Sequence, residues 1–168
     1  MKSLILTLSF AVGLSLHAAE PTLRLATFRA DVTPPVGSPL CGGLVKPVAG
    51  VSEPLLALGV VILGADKPMV MCAMDWCEIR NSYHVKFREL LAKAAGTTPE
   101  RVAVQSLHQH NAPIADSGVT QIMAPFGIPV TDLEWTAKAM NGVAASIEEA
   151  IKNAKPLTHL TVGEGKVE

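Results

Sequence analysis

Two apolar runs, Leu55–Leu63 and Met69–Met74, follow one another with a single tight turn between them. The turn holds Gly64, Asp66 and Pro68, which are residue types that favour turns. Near-continuous apolar runs of this length, bounded by turn residues, are typical of neighbouring strands buried in a sheet. The chain must therefore build its core around a sheet.

Three further segments have strand character. They are Leu23–Val32, which ends at Pro34 and Pro35, Arg101–Leu107, and Leu157–Val162. Two helices alternate with them. The first is predicted to have Asn81 or Ser82 as its N-cap and to end at Gly96. The second is predicted to begin with a capping box of Thr131 and Glu134 and to run towards Asn153. This alternation predicts an α/β fold, a layered mixed sheet flanked by helices.

Composition excludes several classes of protein. The 168 residues carry 14 basic and 15 acidic side chains. No cationic excess is available to bind phosphates, so we expect neither a nucleic-acid partner nor a basic membrane-binding patch. A hydrophobic fraction of 49% excludes intrinsic disorder.

Residues 1–19 are typical of a secretory signal peptide. Lys2 precedes the apolar run Leu4–Leu16, and Ala18 and Ala19 are small residues suited to cleavage. The alternative is a retained anchor. We expect the mature chain to lack a transmembrane segment and to be secreted or periplasmic.

Three cysteines then lie in an oxidising compartment. Because the count is odd, at least one thiol is unpaired or pairs outside the chain. Cys72 and Cys77 are five residues apart, which matches neither a CxxC redox motif nor a zinc ribbon. We interpret them as small buried residues.

The segment Ser106–Pro113 carries most of the chemistry. His108 and His110 stand two residues apart at the end of a predicted strand, so both imidazoles can face one site. Neutral imidazole is a zinc ligand, but zinc takes three or four protein ligands. The alternative is a pair of hydrogen-bonded loop histidines.

Other polar residues have simpler interpretations. Asp75 is either hydrogen-bonded to main-chain donors or part of a site. Asp31 is predicted to form an Asx turn before Pro34. His84 and His159 are interpreted as structural or surface groups.

Several motifs occur in a characteristic order: Ala-Asp-Val-Thr-Pro-Pro at 30–35, Pro-Leu-Cys-Gly-Gly at 39–43, Ser-Glu-Pro-Leu at 52–55, Asp75, and His-Gln-His-Asn-Ala-Pro at 108–113. In this order they resemble the N-terminal domain of the neutral, or alkaline, non-lysosomal ceramidases, over nearly all of residues 20–168. Gln109 and Asn111 depart from the Thr and Ser usual in that family.

The resemblance implies a role for three residues. His108 corresponds to a zinc ligand, His110 to a catalytic residue that lines the substrate pocket, and Gly42 to the turn that approaches the substrate head group. It implies zinc as cofactor and a small-molecule or lipid amide, such as ceramide, as substrate. The family completes its zinc site with a later His, Glu and Tyr. The chain is therefore interpreted as a domain truncated at its C-terminus, inactive when isolated.

Two alternatives remain open at this point. One is a hydrolase on the same scaffold with a substrate other than ceramide. The other is a non-catalytic secreted binding module or a degenerate fragment.

Overall fold

Five strands form the central sheet of the computed structural model, which describes residues 23–64 and 66–166. In chain order the strands of the whole fold are β1 Arg24–Asp31, β2 Leu56–Leu63, β3 Met69–Met74, β4 Glu78–Ile79, β5 Val102–Ser106, β6 Ile114–Ala115 and β7 Lys155–Pro156. The helices are α1 Asn81–Ala95, α2 Ser117–Met123 and α3 Leu133–Lys152. The predicted signal peptide, residues 1–19, lies outside the described residues.

The central sheet has the order β5-β3-β2-β1-β7. β1, β2 and β3 pair antiparallel, whereas β3 and β5 pair parallel, with α1 in the connection between them. A parallel pair needs such a crossover because its strands must start from the same end. The prediction of a mixed, layered α/β sheet is confirmed.

Helices α1 and α3 pack on one face of this sheet. Alternate residues of β2 and β3, such as Val61, Val70 and Cys72, are buried beneath them. On the opposite face Leu58 and Met71 are 47% and 56% exposed. The two predicted strands are neighbours, as expected, but their buried residues are confined to one face, because the described helices cover that face alone.

The predicted helix starts are displaced. The side chain of Asp132, not Thr131, caps α3 by accepting a hydrogen bond from Trp135 N at 3.0 Å. The Thr131 hydroxyl instead donates to Ile114 O at 2.7 Å, so the predicted capping box with Glu134 is wrong. At α1 the N-cap position is Arg80, which provides no side-chain cap.

Helix α1 ends as predicted. Gly96 adopts a left-handed conformation with a φ of 67°, and its N–H donates to Lys93 O at 3.2 Å. This is the usual glycine termination of a helix.

The predicted strand Leu157–Val162 is wrong. β7 ends at Pro156, and Leu157 N donates to Leu23 O at 2.7 Å. Because β7 runs antiparallel to β1, residues after Leu157 pass beyond the start of β1 and meet no described strand. Within residues 23–64 and 66–166, no helix combines the length and apolar character needed to cross a membrane.

Candidate metal centre

The two histidines lie on a loop that bulges from a pair of parallel segments. β3 pairs parallel with β5, and β4 pairs parallel with β6. Residues 75–77 connect the first two strands, whereas residues 107–113 connect the other two. The longer connection must project from the sheet, and His108 accordingly adopts a positive φ of 63°.

Hydrogen bonding selects the tautomer of His108. Its Nδ1 lies 3.1 Å from Cys77 O. A carbonyl can only accept, so Nδ1 carries the proton of this hydrogen bond and the neutral ring has its lone pair on Nε2. Histidines that bind metals are commonly oriented by such a bond from the second ring nitrogen. The Nε2 atom of neutral His108 can therefore accept a hydrogen bond or bind a metal ion.

Glu78 adds a carboxylate on the Nδ1 side of the same ring. Its Oε1 lies 3.6 Å from His108 Nδ1, and its side chain is 19% exposed. Glu78 also forms an ion pair with Arg80 Nε. Glu78, Cys77 and His108 bring potential ligand atoms within 4.8 Å of one another.

His110 faces two buried thiols. One of its ring nitrogens and the Sγ atoms of Cys41 and Cys77 all lie within 4.8 Å of one another. The two Sγ atoms are 3.8 Å apart. The His108 and His110 rings pack edge to face with centroids 5.3 Å apart, so the two imidazoles are neighbours.

Gly42 lies in the turn that carries Cys41. Cys41 N donates to Ala112 O at 2.8 Å, which joins this turn to the histidine loop. Gly42 has a φ of 67°, and a Cβ atom there would lie 3.1 Å from Ile114 Cδ1. A side chain would be strained at this position. The fold thus brings Gly42, His108 and His110, the three residues predicted from sequence, into one region.

A groove of about 450 Å³ lies beside the loop. Gln109 and Asn111 line it together with Asp75 and the segment 47–55, whereas His108 and His110 lie outside its lining. Gln109 Nε2 donates to Asp75 O at 2.6 Å. The two residues that depart from the ceramidase pattern therefore contribute to the groove.

The other polar residues mostly have structural roles. Asp75 Oδ2 accepts from Leu56 N at 2.8 Å, and Asp31 Oδ1 accepts from Thr33 N at 2.9 Å in the predicted Asx turn. His84 Nε2 lies 3.4 Å from Val104 O, and His159 is exposed beside Thr158. The first interpretation of Asp75, a hydrogen bond to a main-chain donor, is therefore confirmed, and Asp75 also lines the groove.

Sequence reasoning missed Cys41 and Glu78 at this centre. Cys72 and Cys77 are buried as predicted, but the partner of Cys77 is Cys41. Burial and then the contact with Cys41 raise the pKa of the Cys77 thiol to about 12. The available signal was the position of Cys41 next to Gly42, in the turn expected at the site.

Comparison with known proteins relates the fold to one family. No protein-family model matches the chain, and no curated protein matches it in sequence. Neutral ceramidase from Pseudomonas aeruginosa superposes with a TM-score of 0.59 and 19% sequence identity, over 82% of this chain and 22% of the solved chain. A ceramidase complexed with C2 gives a TM-score of 0.57, also at 19% identity and with the same coverage. The chain therefore has a fold similar to part of neutral ceramidase and spans 22% of the length of the solved chains.

Proposed function

We propose that this chain is part of a secreted, zinc-dependent amide hydrolase that resembles neutral ceramidase and cleaves ceramide or another N-acyl lipid to a fatty acid and an amine. The observation that carries the proposal is the His108 side chain. It projects from the end of β5 with Nδ1 hydrogen-bonded to Cys77 O, in a fold similar to part of neutral ceramidase.

His108 fits the role of a zinc ligand. Its Nε2 lone pair is available, and its other ring nitrogen is held by the main chain, which fixes the direction of the imidazole. Zinc bound there would supply Lewis acidity towards an amide carbonyl. Glu78, beside Nδ1, increases the electron density of the ring and strengthens its donation.

His110 and Gly42 are assigned to the substrate. His110 is exposed and next to His108, where an imidazole N–H can donate to the oxygen on which negative charge develops. One such donor is worth about 2 to 4 kcal/mol in the transition state. In this proposal the main chain of the Gly42 turn contacts the head group, and glycine is required there because its φ is 67° and a Cβ atom would lie 3.1 Å from Ile114 Cδ1.

His108 alone cannot hold a catalytic zinc, which takes three protein ligands. In this proposal the remaining ligands come from later parts of a longer protein. The isolated 168-residue chain is accordingly expected to be inactive. Measurable amide turnover by the purified chain would contradict this expectation.

The test uses the longest natural form of the protein. N-acylsphingosines and small water-soluble amides are offered as substrates, and the released fatty acid or amine is measured. We expect hydrolysis of the N-acyl lipid, and we expect His108→Ala to lower it by more than about 100-fold, because even the loss of a ligand's outer partner costs 10- to 100-fold.

The matched control is His159→Ala, which removes an exposed histidine outside the site and leaves turnover unchanged. Cleavage of only small amides would favour a hydrolase with another substrate. No hydrolysis of either class, with no effect of His108→Ala on metal content, would support a binding module and overturn the proposal.

A further inference from the structure

Cys41, Cys77 and His110 have the spacing of ligands that share one ion. The Cys41 and Cys77 Sγ atoms are 3.8 Å apart. Two thiolates on a tetrahedral zinc, with Zn–S bonds of about 2.3 Å, lie about 3.8 Å from each other. A disulfide requires an S–S distance of about 2.05 Å. The two sulfurs are therefore not bonded, and they lie at a distance that thiols in contact and thiolates on one zinc ion share. The ring nitrogen of His110, within 4.8 Å of both, supplies the third donor that points to a metal ion.

We infer that Cys41, Cys77 and His110 bind a zinc ion at a site separate from the Nε2 atom of His108. Two thiolates and one imidazole form a donor set that zinc accepts, with a fourth tetrahedral position left for water or substrate. Both cysteines are buried, whereas His110 is exposed, so the fourth position opens on the side of the histidine loop.

The main chain holds the two thiols in place before any ion binds. Cys41 N donates to Ala112 O at 2.8 Å, and Cys77 N donates to Pro113 O at 3.0 Å. The main chain at both cysteines is thus hydrogen-bonded to adjacent carbonyls of the loop that carries His110. Ala112 and Ile114 pack around the sulfurs in a small apolar cluster. Such support is what a preorganised metal site needs.

Charge favours the same ion. Binding converts two thiols to thiolates and releases two protons to solvent, so the divalent ion and its two sulfur ligands have no net charge. A neutral group can occupy a buried apolar cluster without the cost of an isolated charge. Because both thiols must lose a proton to bind the ion, metal affinity is expected to fall as the pH falls.

This site is compatible with the substrate role proposed for His110. An imidazole that binds a metal through one nitrogen carries its proton on the other. The second nitrogen of His110 would then always be a hydrogen-bond donor. The inference does not depend on amide hydrolysis, because His108 is not one of its ligands.

The test is a titration of the reduced, metal-free full chain with Co²⁺, which replaces zinc and absorbs in the near ultraviolet when thiolates bind it. We expect a thiolate-to-cobalt band that saturates at one ion per chain and is displaced by Zn²⁺. Cys41→Ser and Cys77→Ser should abolish the band, and His110→Ala should weaken zinc binding by at least about 10-fold.

Two variants serve as controls. Cys72→Ser removes the third thiol, which is buried in β3 away from the cluster, and should leave the band intact. His108→Ala should also retain it, whether or not the longer protein hydrolyses amides. Circular dichroism confirms that each variant is folded. Absence of the band in folded wild-type protein, or its persistence in folded Cys77→Ser, would overturn the inference.

Thiol counting gives an independent outcome. The chain is purified without reductant, unfolded with a chelator present, and titrated for free thiols. Three thiols support the metal site. A single thiol, with Cys41 and Cys77 joined in a disulfide that prevents Co²⁺ binding until it is reduced, would contradict it.

Discussion

Hydrogen bonds to main-chain groups fix the orientation of several polar side chains in this protein. Nδ1 of His108 lies against Cys77 O, Asp75 Oδ2 accepts from Leu56 N, and Asp31 Oδ1 accepts from Thr33 N. The Asx turn at Asp31 could be predicted because it depends on residues two positions apart. The bond at His108 joins residues 31 positions apart, so no local pattern could indicate it.

Asp31 gives a pH-dependent prediction. Hydrogen bonds from the Thr33 side chain and main chain lower the pKa of Asp31 in the folded state. Its contribution to stability is therefore complete above the unfolded pKa and lost as the pH falls through the folded pKa. Because the carboxylate is exposed, we expect Asp31→Ala to cost less than about 1 kcal/mol at pH 7.

Urea unfolding of wild type and Asp31→Ala at pH 7 and at low pH measures this contribution. The difference in the free energy of unfolding should shrink at low pH. An equal difference at both pH values would show that the charge of Asp31 makes no contribution.

At the scale of elements, the N-cap of α3 differs between the sequence prediction, which is Thr131, and the structure, which has Asp132. Asp132 Oδ1 accepts from Trp135 N, whereas Thr131 bonds to Ile114 O. The helix itself was predictable from its apolar period, but Thr, Asp and Glu all occur at its start. Only the tertiary bond of Thr131 decides which side chain is the cap.

We therefore expect Asp132→Ala to lower the free energy of unfolding by about 1 kcal/mol, the usual cost of removing an N-cap. Glu134→Ala is the matched control and should change stability by less than about 0.5 kcal/mol. Thermal or urea unfolding of both variants gives the comparison. A larger loss of unfolding free energy for Glu134→Ala than for Asp132→Ala would contradict the cap at Asp132 and favour the capping box of Thr131 and Glu134.

Close packing within the sheet leaves no room for a side chain at Gly59 of β2. A Cβ atom on Gly59 of β2 would lie 2.2 Å from Phe28 Cζ and 2.3 Å from Met71 O. The Met71 oxygen belongs to the main chain of β3 and cannot move aside cheaply. We expect Gly59→Ala to destabilise the protein by about 3 kcal/mol.

Gly142→Ala is the matched control for this substitution. Gly142 lies in α3, where a Cβ atom meets nothing within 4 Å. Its replacement should stabilise the helix by up to about 1 kcal/mol. Urea unfolding of the two variants should therefore give shifts of opposite sign. Equal shifts would contradict the packing described for β2 and β3.

For the whole molecule, the apolar runs predicted the sheet because burial and period are properties of short segments. The candidate site, in contrast, forms only where three segments that are distant in sequence meet. The Gly42 turn, the link between β3 and β4, and the histidine loop are distant in sequence and meet through Cys41 N–Ala112 O and Cys77 N–Pro113 O. Motif order could indicate that Gly42 and the histidines belong together. It could not indicate that Cys41 and Cys77 meet beside His110.

The most direct test of a metal-binding role for His108 is the zinc content of the longest natural form of the protein. Elemental mass spectrometry of the purified protein measures it. We predict that His108→Ala contains one zinc ion fewer per chain than both wild type and His159→Ala. Equal zinc content in all three folded proteins would contradict the account.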